Sequence, residues 1–522
     1  MLQRDSSWPD NIDVLKSMLT DQMAQRESLA DKNIQLQAEN QYIKTQVLLL
    51  QEKLNLALAQ RYAARSEQYS PDQIRLFNEA EVDVPEDVVA DTDTTSVTIA
   101  AHTRQQKRGR QPLPDHLPRL EVIHDLPEAE RYCDHDGNSL RRIGEVISEQ
   151  LDIVPATIRV IRHIRRQYAC DCGQCIKTAT LPAQPIPKSL AAPGLLAHVV
   201  VCKYVDALPL YRQERILQRI GVDIPRATLA NWMMEAGTLI QPLINLLRDR
   251  LLAYDIIQMD ETTVQVLKEP GKTAQSKSYL WLQRGGPPDQ PVLLYDYDPG
   301  RGAGVPQRLL DGFQGTLQTD GYDGYNAVVA TGNLTHLGCF AHARRKFDEA
   351  IKAQGQQPRR GLAHHALAWI QKLYGVEKAV RNTLPEVRYA YRLQHAQPIL
   401  DELRAWLTET LSQVPPETAT GKALNYLHRE WTKLIRYLND GRFEIDNNRA
   451  ENAIRPFVIG RKNWLFSDSV RGVKASANLY SLIESAKANG LEPYAYLRRV
   501  FAELPRAETI EAIEALLPGN IK

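Results

Sequence analysis

Six cysteines in 522 residues, four of them in one short window, are too few and too clustered for a disulfide scaffold. No uninterrupted apolar run is long enough to span a bilayer, and the N-terminus lacks the apolar stretch of a secretory signal. Neither sign of charge is in excess: 64 basic residues stand against 63 acidic, a net charge of +1. Bulk charge therefore argues neither for nor against nucleic acid, and local clusters must carry that argument. Internal repeats and extended low-complexity segments are also missing. These absences exclude stapled secreted, membrane-spanning and repeat architectures, and lead us to expect a soluble protein of a reducing compartment. A chain of 522 residues is too long for one core, so three to five modules are expected.

What is present centres on Asp446-Asn447-Asn448-Arg449-Ala450-Glu451, running on through Ile454-Arg455-Pro456 to Arg461-Lys462-Asn463-Trp464-Leu465-Phe466. The pattern predicts a short helix that Asp446 caps and Pro456 ends. On helical spacing Asn447, Glu451 and Arg455 share one face, while Ala450, Ala453 and Ile454 share another. One side is built to pack; the other sets an acid among amides and a guanidinium. Such a carboxylate can hold a divalent metal while basic neighbours hold phosphate. Two more acids close apolar runs: Asp260 in Ile256-Ile257-Gln258-Met259-Asp260-Glu261-Thr262, and Asp320 in Thr316-Leu317-Gln318-Thr319-Asp320-Gly321-Tyr322. Strand ends are where open α/β sheets place ligands.

Further apolar runs at 279–282, 292–295 and 335–340 precede a basic helix, His342-Ala343-Arg344-Arg345-Lys346-Phe347. The expected order is strand, strand, strand, helix, strand, helix, strand, helix. That order fits an RNase H-like domain with acids on the first strand, after the fourth, and on a late helix. The acids lie 60 and then 131 positions apart. The second interval exceeds what one strand and one helix need, so a helical insertion with a break near 414–420 is expected.

At these residues the chain resembles the IS66 family of bacterial insertion-sequence transposases, which are DDE-type enzymes. The matching segments are Asp260-Glu261-Thr262, Thr319-Asp320-Gly321-Tyr322, Gly338-Cys339-Phe340-Ala341-His342-Ala343-Arg344-Arg345-Lys346-Phe347 and the block 446–466. Arg65-Ser66-Glu67, Ser148-Glu149-Gln150-Leu151, Leu208-Pro209-Leu210-Tyr211-Arg212-Gln213 and Pro493-Tyr494-Ala495-Tyr496-Leu497 extend the likeness over nearly the whole chain. The resemblance implies terminal inverted repeats and target DNA as partners, accessory proteins of the same element, and a bacterial cytoplasmic, nucleoid-associated setting without a membrane.

The expected architecture is a multidomain α/β chain: an RNase H-like core with a helical insertion, preceded by a coiled coil, a small zinc-finger-like β module and a helix-turn-helix region. Residues 1–62 are expected to be the coiled coil. Leu29, Leu36, Ile43 and Leu50 recur every seven residues, and Asn33, Asn40, Val47 and Leu54 fill the alternate seam position. Asn at that position favours a two-stranded, in-register homodimer; the competing reading is a lone amphipathic helix docked on the body. Residues 63–118 form a linker with an acidic stretch and a basic arm around Arg108 and Arg110, suited to an A·T-rich minor groove or simply to solvent. Residues 119–185 hold Cys133, His135, Cys170, Cys172 and Cys175. In similar transposases this is a zinc module with two Cys-x-x-Cys knuckles. Here Asp136 replaces one cysteine and the second knuckle is shifted, so a Zn²⁺ site and a metal-free hairpin both remain open. Residues 186–248 predict helix-turn-helix: a helix over 211–220, a turn at Gly221, and a second helix with Leu229 and Trp232 inward and Arg226, Thr228 and Asn231 toward a major groove. The core then occupies 249–358, the insertion 359–440, the last core helix 441–468 and a helical tail 469–522.

Phosphodiester cleavage needs an activated oxygen nucleophile and relief of charge on the leaving oxygen, which two Mg²⁺ (or Mn²⁺) ions supply. The resemblance assigns Asp260, Asp320 and Glu451 as their ligands, with Asp260 bridging; Asp446 and Glu444 compete for the third place. Arg345, Lys346, Arg455, Arg461 and Lys462 either bind phosphates or pair with the site acids. Tyr322, Tyr325 and Trp464 suit a distorted base or the core. The rival functions are a transposase-derived DNA-binding regulator with an inactive site and a nuclease that cuts without joining.

Overall fold

The computed structural model describes residues 11–62, 158–169, 176–180, 182–355 and 361–521. The chain divides into two compact units, one of residues 78–181 and one of 1–77 with 182–522. In the smaller unit, β1 (Gln167–Ala169) and β2 (Ile176–Thr178) pair antiparallel, Tyr168 opposite Lys177. Arg108, Arg110, Cys133, His135, Cys170, Cys172 and Cys175 lie outside the described residues.

In the larger unit, α1 (Ile12–Tyr62) runs through the whole heptad segment. Its C-terminal half touches the body through two hydrogen bonds: Asn55 Nδ2 donates to the Ala353 carbonyl at 2.9 Å, and Glu52 accepts the Ala419 N–H at 2.8 Å. Counted in the heptad, Glu52 and Asn55 sit on the back of the helix. The seam residues Leu29, Leu36, Ile43 and Leu50 stay 50–64% exposed. The helix docks by its back and leaves its seam bare.

Four helices follow: α2 (Pro193–Tyr204), α3 (Leu210–Arg219), α4 (Arg226–Leu239) and α5 (Gln241–Ala253). Gly221 takes φ +82° in the turn between α3 and α4, a conformation that suits glycine. Leu229 and Trp232 are buried as their spacing requires, and Arg226 and Asn231 are exposed.

The sheet comprises β3 (Ile256–Lys268), β4 (Lys277–Gly285), β5 (Val292–Asp298), then, past α6 (Gly304–Leu309), β6 (Thr316–Gln318), α7 (Asn326–Gly332) and β7 (Thr335–Leu337). The strand order is β5-β4-β3-β6-β7. The first three are antiparallel neighbours, while β3, β6 and β7 run parallel. The β5 edge does not face solvent with bare amides: Ser485 and Ser481 accept the N–H groups of Leu293 and Tyr295 at 2.9 and 2.8 Å.

After α8 (Phe340–Ala353), the long interval holds α9 (Leu362–Val380), α10 (Pro385–Leu411) and α11 (Ala419–Ile435). These helices bury their own cluster against α8, including Phe347, Leu373, Leu403 and Leu427. The chain returns through α12 (Asn448–Trp464) and β8 (Ser467–Ser469), which extends β3 in parallel, and ends in α13 (Val470–Ala488), α14 (Pro493–Glu503) and α15 (Ile510–Glu514).

Pro456 does not end its helix. It lies inside α12, which continues to Trp464. A mid-helix proline costs about 3 kcal/mol, but Ile454, Phe457 and Gly460 are buried on either side of it, and that packing outweighs the lost hydrogen bond. Asp446 is also displaced from its expected role. Asn447 is the capping residue, and Asp446, one position earlier, accepts the Asn448 N–H at 3.1 Å. Among the described residues no helix is long and apolar enough to cross a membrane.

Candidate active site

The register of β3 and β6 brings the first two acids near each other. Gln258 pairs with Gln318 across the parallel strands, and their side chains meet at 2.8 Å, so both project from the same face. Side chains alternate with period two and neighbouring strands lie about 4.8 Å apart. Asp260 lies two residues further along β3 and Asp320 two residues past the last pair of β6, near enough for the Asp320 charge to act on Asp260. Asp260 accepts the Glu261 N–H at 2.9 Å, and Asp320 accepts the Tyr322 N–H at 3.0 Å.

The third acid is brought in by Asn447. This residue is buried, donates Nδ2 to the Met259 carbonyl at 2.8 Å and donates its backbone N–H to Cys339 Sγ at 3.2 Å. The start of α12 is thereby pinned to β3 one residue before Asp260. Glu451, one helical turn after Asn447, falls on the same side of α12. Burial pushes the Asp260 carboxyl well above the usual carboxylate range, and the charges of Glu261, Glu451 and Asp320 push it further. Glu451 meets Arg345 at 3.1 Å through Oε2 and His342 Nδ1 at 3.5 Å through Oε1. Burial lowers the His342 pKa, so the ring is neutral near pH 7. Arg345 Nη1 donates to His342 Nε2 at 3.1 Å, which leaves the ring proton on Nδ1, facing Glu451.

A buried Asp260 carboxyl crowded by the charges of Glu261, Glu451 and Asp320 is an arrangement that a divalent cation would stabilise. Glu451 Oε1 is moreover buried without a hydrogen-bond partner among the described residues. The site residues thus fit hard-cation binding. A stability consequence follows from the raised Asp260 pKa. The folded chain holds this proton more tightly than the unfolded chain, so the metal-free protein loses stability as pH climbs from the ordinary aspartate value near 4 through the raised folded value. Asp260→Asn should stabilise the metal-free protein at neutral pH, by about 1–2 kcal/mol, typical of relieving a strained functional site. Thermal melts from pH 4 to 8 check this; a wild-type-to-variant gap that does not widen with pH would sink it.

Four family models match the chain: "Transposase IS66 family" over residues 188–475, "zinc-finger binding domain of transposase IS66" over 130–173, "IS66 C-terminal element" over 481–518, and "Transposase C of IS166 homeodomain" over 49–122. The chain belongs to the IS66 transposase family. Two relatives from Sinorhizobium fredii (strain NBRC 101917 / NGR234) carry the same likeness, both described as uncharacterized proteins. One, y4jD, is 36% identical over 462 residues, covering 82% of this chain and 88% of the relative. The other, y4qI, is 32% identical over 539 residues, covering 98% of each. As an IS66 transposase the protein is a DNA-cutting enzyme whose partner is DNA. The first match contains all three acids, and the zinc-finger match contains Cys133, His135, Cys170 and Cys172 but stops before Cys175.

Other residues of this transposase divide between surface and scaffold. Arg455 and Lys462 are exposed on α12, and Lys346 is exposed on α8, 3.7 Å from Glu349. Arg461 is partly buried: its Nη1 donates to the Thr263 carbonyl and, at 3.1 Å, to the Thr262 hydroxyl, tying α12 to β3. Arg345 pairs with Glu451 instead of standing clear. Thr228 is half-buried beside the exposed Arg226 and Asn231. Tyr325 is fully buried; Tyr322 is partly buried under the Arg301 guanidinium, 3.8 Å from its ring centre, and Trp464 lies under Lys203, 4.5 Å away. Glu444 pairs with Arg449 at 2.9 Å, while Asp446 accepts from the Tyr374 hydroxyl at 2.7 Å.

Three contacts at the site go beyond what the sequence reading supplies. Glu261, beside Asp260, is held by Arg301 at 2.7 Å and by the Tyr325 hydroxyl at 2.6 Å. Asn447 was placed on the right face without its tie to Met259. Gly321 makes room for Tyr426 of α11: a Cβ there would lie 2.7 Å from the ring, so the insertion packs onto the loop after Asp320. The glycine-rich run Pro299-Gly300-Arg301-Gly302 was the available signal for Arg301. The other two contacts had none.

Proposed function

We propose that this transposase is of the DDE type, with Asp260, Asp320 and Glu451 as its catalytic triad, cutting the ends of its element and joining them to target DNA. The observation that carries the reading is that Asp320, just past the end of β6, and Glu451, on a helix pinned to β3 by Asn447, both act by charge on the buried Asp260. The strand order, with β3 central, antiparallel to β4 and parallel to β6, supports an RNase H-like core. The other two acids near α12 support it as well, since Arg449 neutralises Glu444 and Tyr374 and Asn448 occupy Asp446.

Mg²⁺ or Mn²⁺ ions held by the triad would activate the attacking oxygen and stabilise the leaving one. Arg345 holds Glu451 in place, and Asn447 fixes the distance between α12 and β3. Arg455, Lys462 and Lys346 offer phosphate contacts. Water attack leaves a 3′-hydroxyl, which then attacks a target phosphodiester from the same site, so no covalent enzyme intermediate is needed. Helices α3 and α4 form the end-reading helix-turn-helix, with Arg226, Thr228 and Asn231 toward the groove. The module at 119–185 takes Zn²⁺ through Cys133, His135 and the cysteines of 170–175, and Arg108 and Arg110 reach the minor groove. The bare seam of α1 takes a second copy of this chain as a coiled coil, consistent with its docking by the opposite face. Accessory proteins of the element complete the assembly.

The test is to incubate the full chain with a labelled element-end duplex, target DNA and Mg²⁺. Release of a 3′-hydroxyl and its joining to target supports the reading. Cutting without joining makes the protein a nuclease, and tight end binding without cutting, even with accessory proteins added, makes it a regulator. For the helix-turn-helix, Arg226→Ala should reduce the slope of log affinity against log salt by about one if it contacts a phosphate; an unchanged slope and affinity would remove it from the interface.

A further inference from the structure

We propose that Cys339, His342 and Glu451 form a second cation site, one that takes a thiophilic divalent ion of the zinc class and shares Glu451 with the acid triad. Cys339 caps α8 and His342 is three residues on, so the Cys-x-x-His pair projects from one side of the first helical turn. The first turn of α12 supplies Glu451 opposite them. One ligand atom from each residue lies within 4.8 Å of the others. Tetrahedral zinc with its usual bond lengths wants these atoms about 3.3–3.6 Å apart, so a contraction of about 1 Å brings these three ligands to bonding distance and leaves the fourth position open.

Two independent features point to a ligand. His342 Nδ1 and Glu451 Oε1 are both buried without a hydrogen-bond partner among the described residues, and they face each other at 3.5 Å. That is too long for a good hydrogen bond and leaves room for an ion to bridge them. The surroundings also supply support of the kind metal ligands use. The Asn447 N–H already donates to Cys339 Sγ at 3.2 Å, and Arg345 holds Glu451 Oε2, leaving Oε1 for the ion. A thiolate, a carboxylate and a divalent ion sum to zero charge, which suits a buried place. Mg²⁺ is a poor match for sulfur, whereas zinc-class ions accept sulfur, nitrogen and oxygen together. Binding at Nδ1 moves the ring proton to Nε2, so Arg345 must release that nitrogen while keeping Oε2. Because Glu451 serves both sites, a bound thiophilic ion would compete with the triad; that consequence alone rests on the DDE reading.

The probe is Co²⁺ added to the full chain carrying Cys172→Ser and Cys175→Ser, which removes the knuckle that would otherwise bind it. We expect this chain to keep a thiolate-to-cobalt charge-transfer band that Zn²⁺ abolishes. Adding Cys339→Ser should remove the band, and adding His342→Ala should weaken cobalt binding about tenfold or more. Absence of the band, or its survival in the Cys339→Ser chain, overturns the proposal. If the knuckle substitutions prevent folding, zinc stoichiometry of the otherwise unaltered chain decides. Cys339→Ser should lower it by one ion per chain, and an unchanged value overturns the site. Neither measurement involves DNA cutting, so failure here is distinct from failure of the triad.

Discussion

Asp260→Ala, Asp320→Ala and Glu451→Ala should each lower Mg²⁺-dependent cutting and joining by a factor on the order of 10³ or more. The size follows from the several kcal/mol of charge stabilisation that metal ligands organise, at about 1.4 kcal/mol per tenfold in rate. DNA binding should survive if, as proposed, the phosphate contacts come from basic residues and not from the acids themselves. A gel assay on labelled ends, with binding measured in parallel, separates the two. Asp260→Ala is expected to be the most severe, since the charges of both Glu451 and Asp320 act on the buried Asp260. If Glu451→Ala still cuts at near wild-type rate, the third ligand is misassigned. Glu444 and Asp446 would then be next, although each is already engaged, Glu444 by Arg449 and Asp446 by Tyr374.

The largest stability effect is expected far from the acids, at Arg392 of α10. Its side chain is 0% exposed. It donates to both oxygens of Glu377, at 2.8 and 2.7 Å, and to the carbonyls of Tyr437, Asp440 and Phe443 at 2.8–3.0 Å. One guanidinium thus ties two insertion helices to the segment that leads into α12. Arg392→Ala strands a mostly buried carboxylate and three carbonyls, and should cost about 3–5 kcal/mol. Arg392→Lys should recover little, since an ammonium cannot match the planar fork. Denaturant unfolding of the three proteins measures this. A loss below about 1 kcal/mol in Arg392→Ala would mean that water replaces the lost donors. Activity should fall together with stability, because Glu444, Asp446 and Glu451 all follow the segment that Arg392 anchors.

Much of this molecule was legible before any coordinates. The apolar runs at 256–259, 279–282 and 292–295 became β3, β4 and β5, and the order of elements through α8 is the one their pattern implies. Leu229 and Trp232 pointed inward from spacing alone, and the 131-residue interval announced a helical insertion, which the structure builds from α9, α10 and α11. Pro456 was misread because a proline rule describes an isolated helix, whereas here the buried face around it, with Ile454 and Phe457, packs into the core and carries the helix on.

By itself, the sequence determined what depends on near neighbours: which segments are helix or strand, which face of each is apolar, and which acids end strands. Periodicity acts over two to four residues, and a sequence displays it directly. The tertiary structure alone decided that Gln258 pairs with Gln318 and so brings Asp320 near Asp260. It also decided that Asn447 brings Glu451 to them across 188 residues, and that Arg392 holds the approach to α12. Register and docking are chosen by how whole surfaces pack and by which buried polar groups find partners, and those energies belong to pairs of distant residues, not to any one stretch of chain.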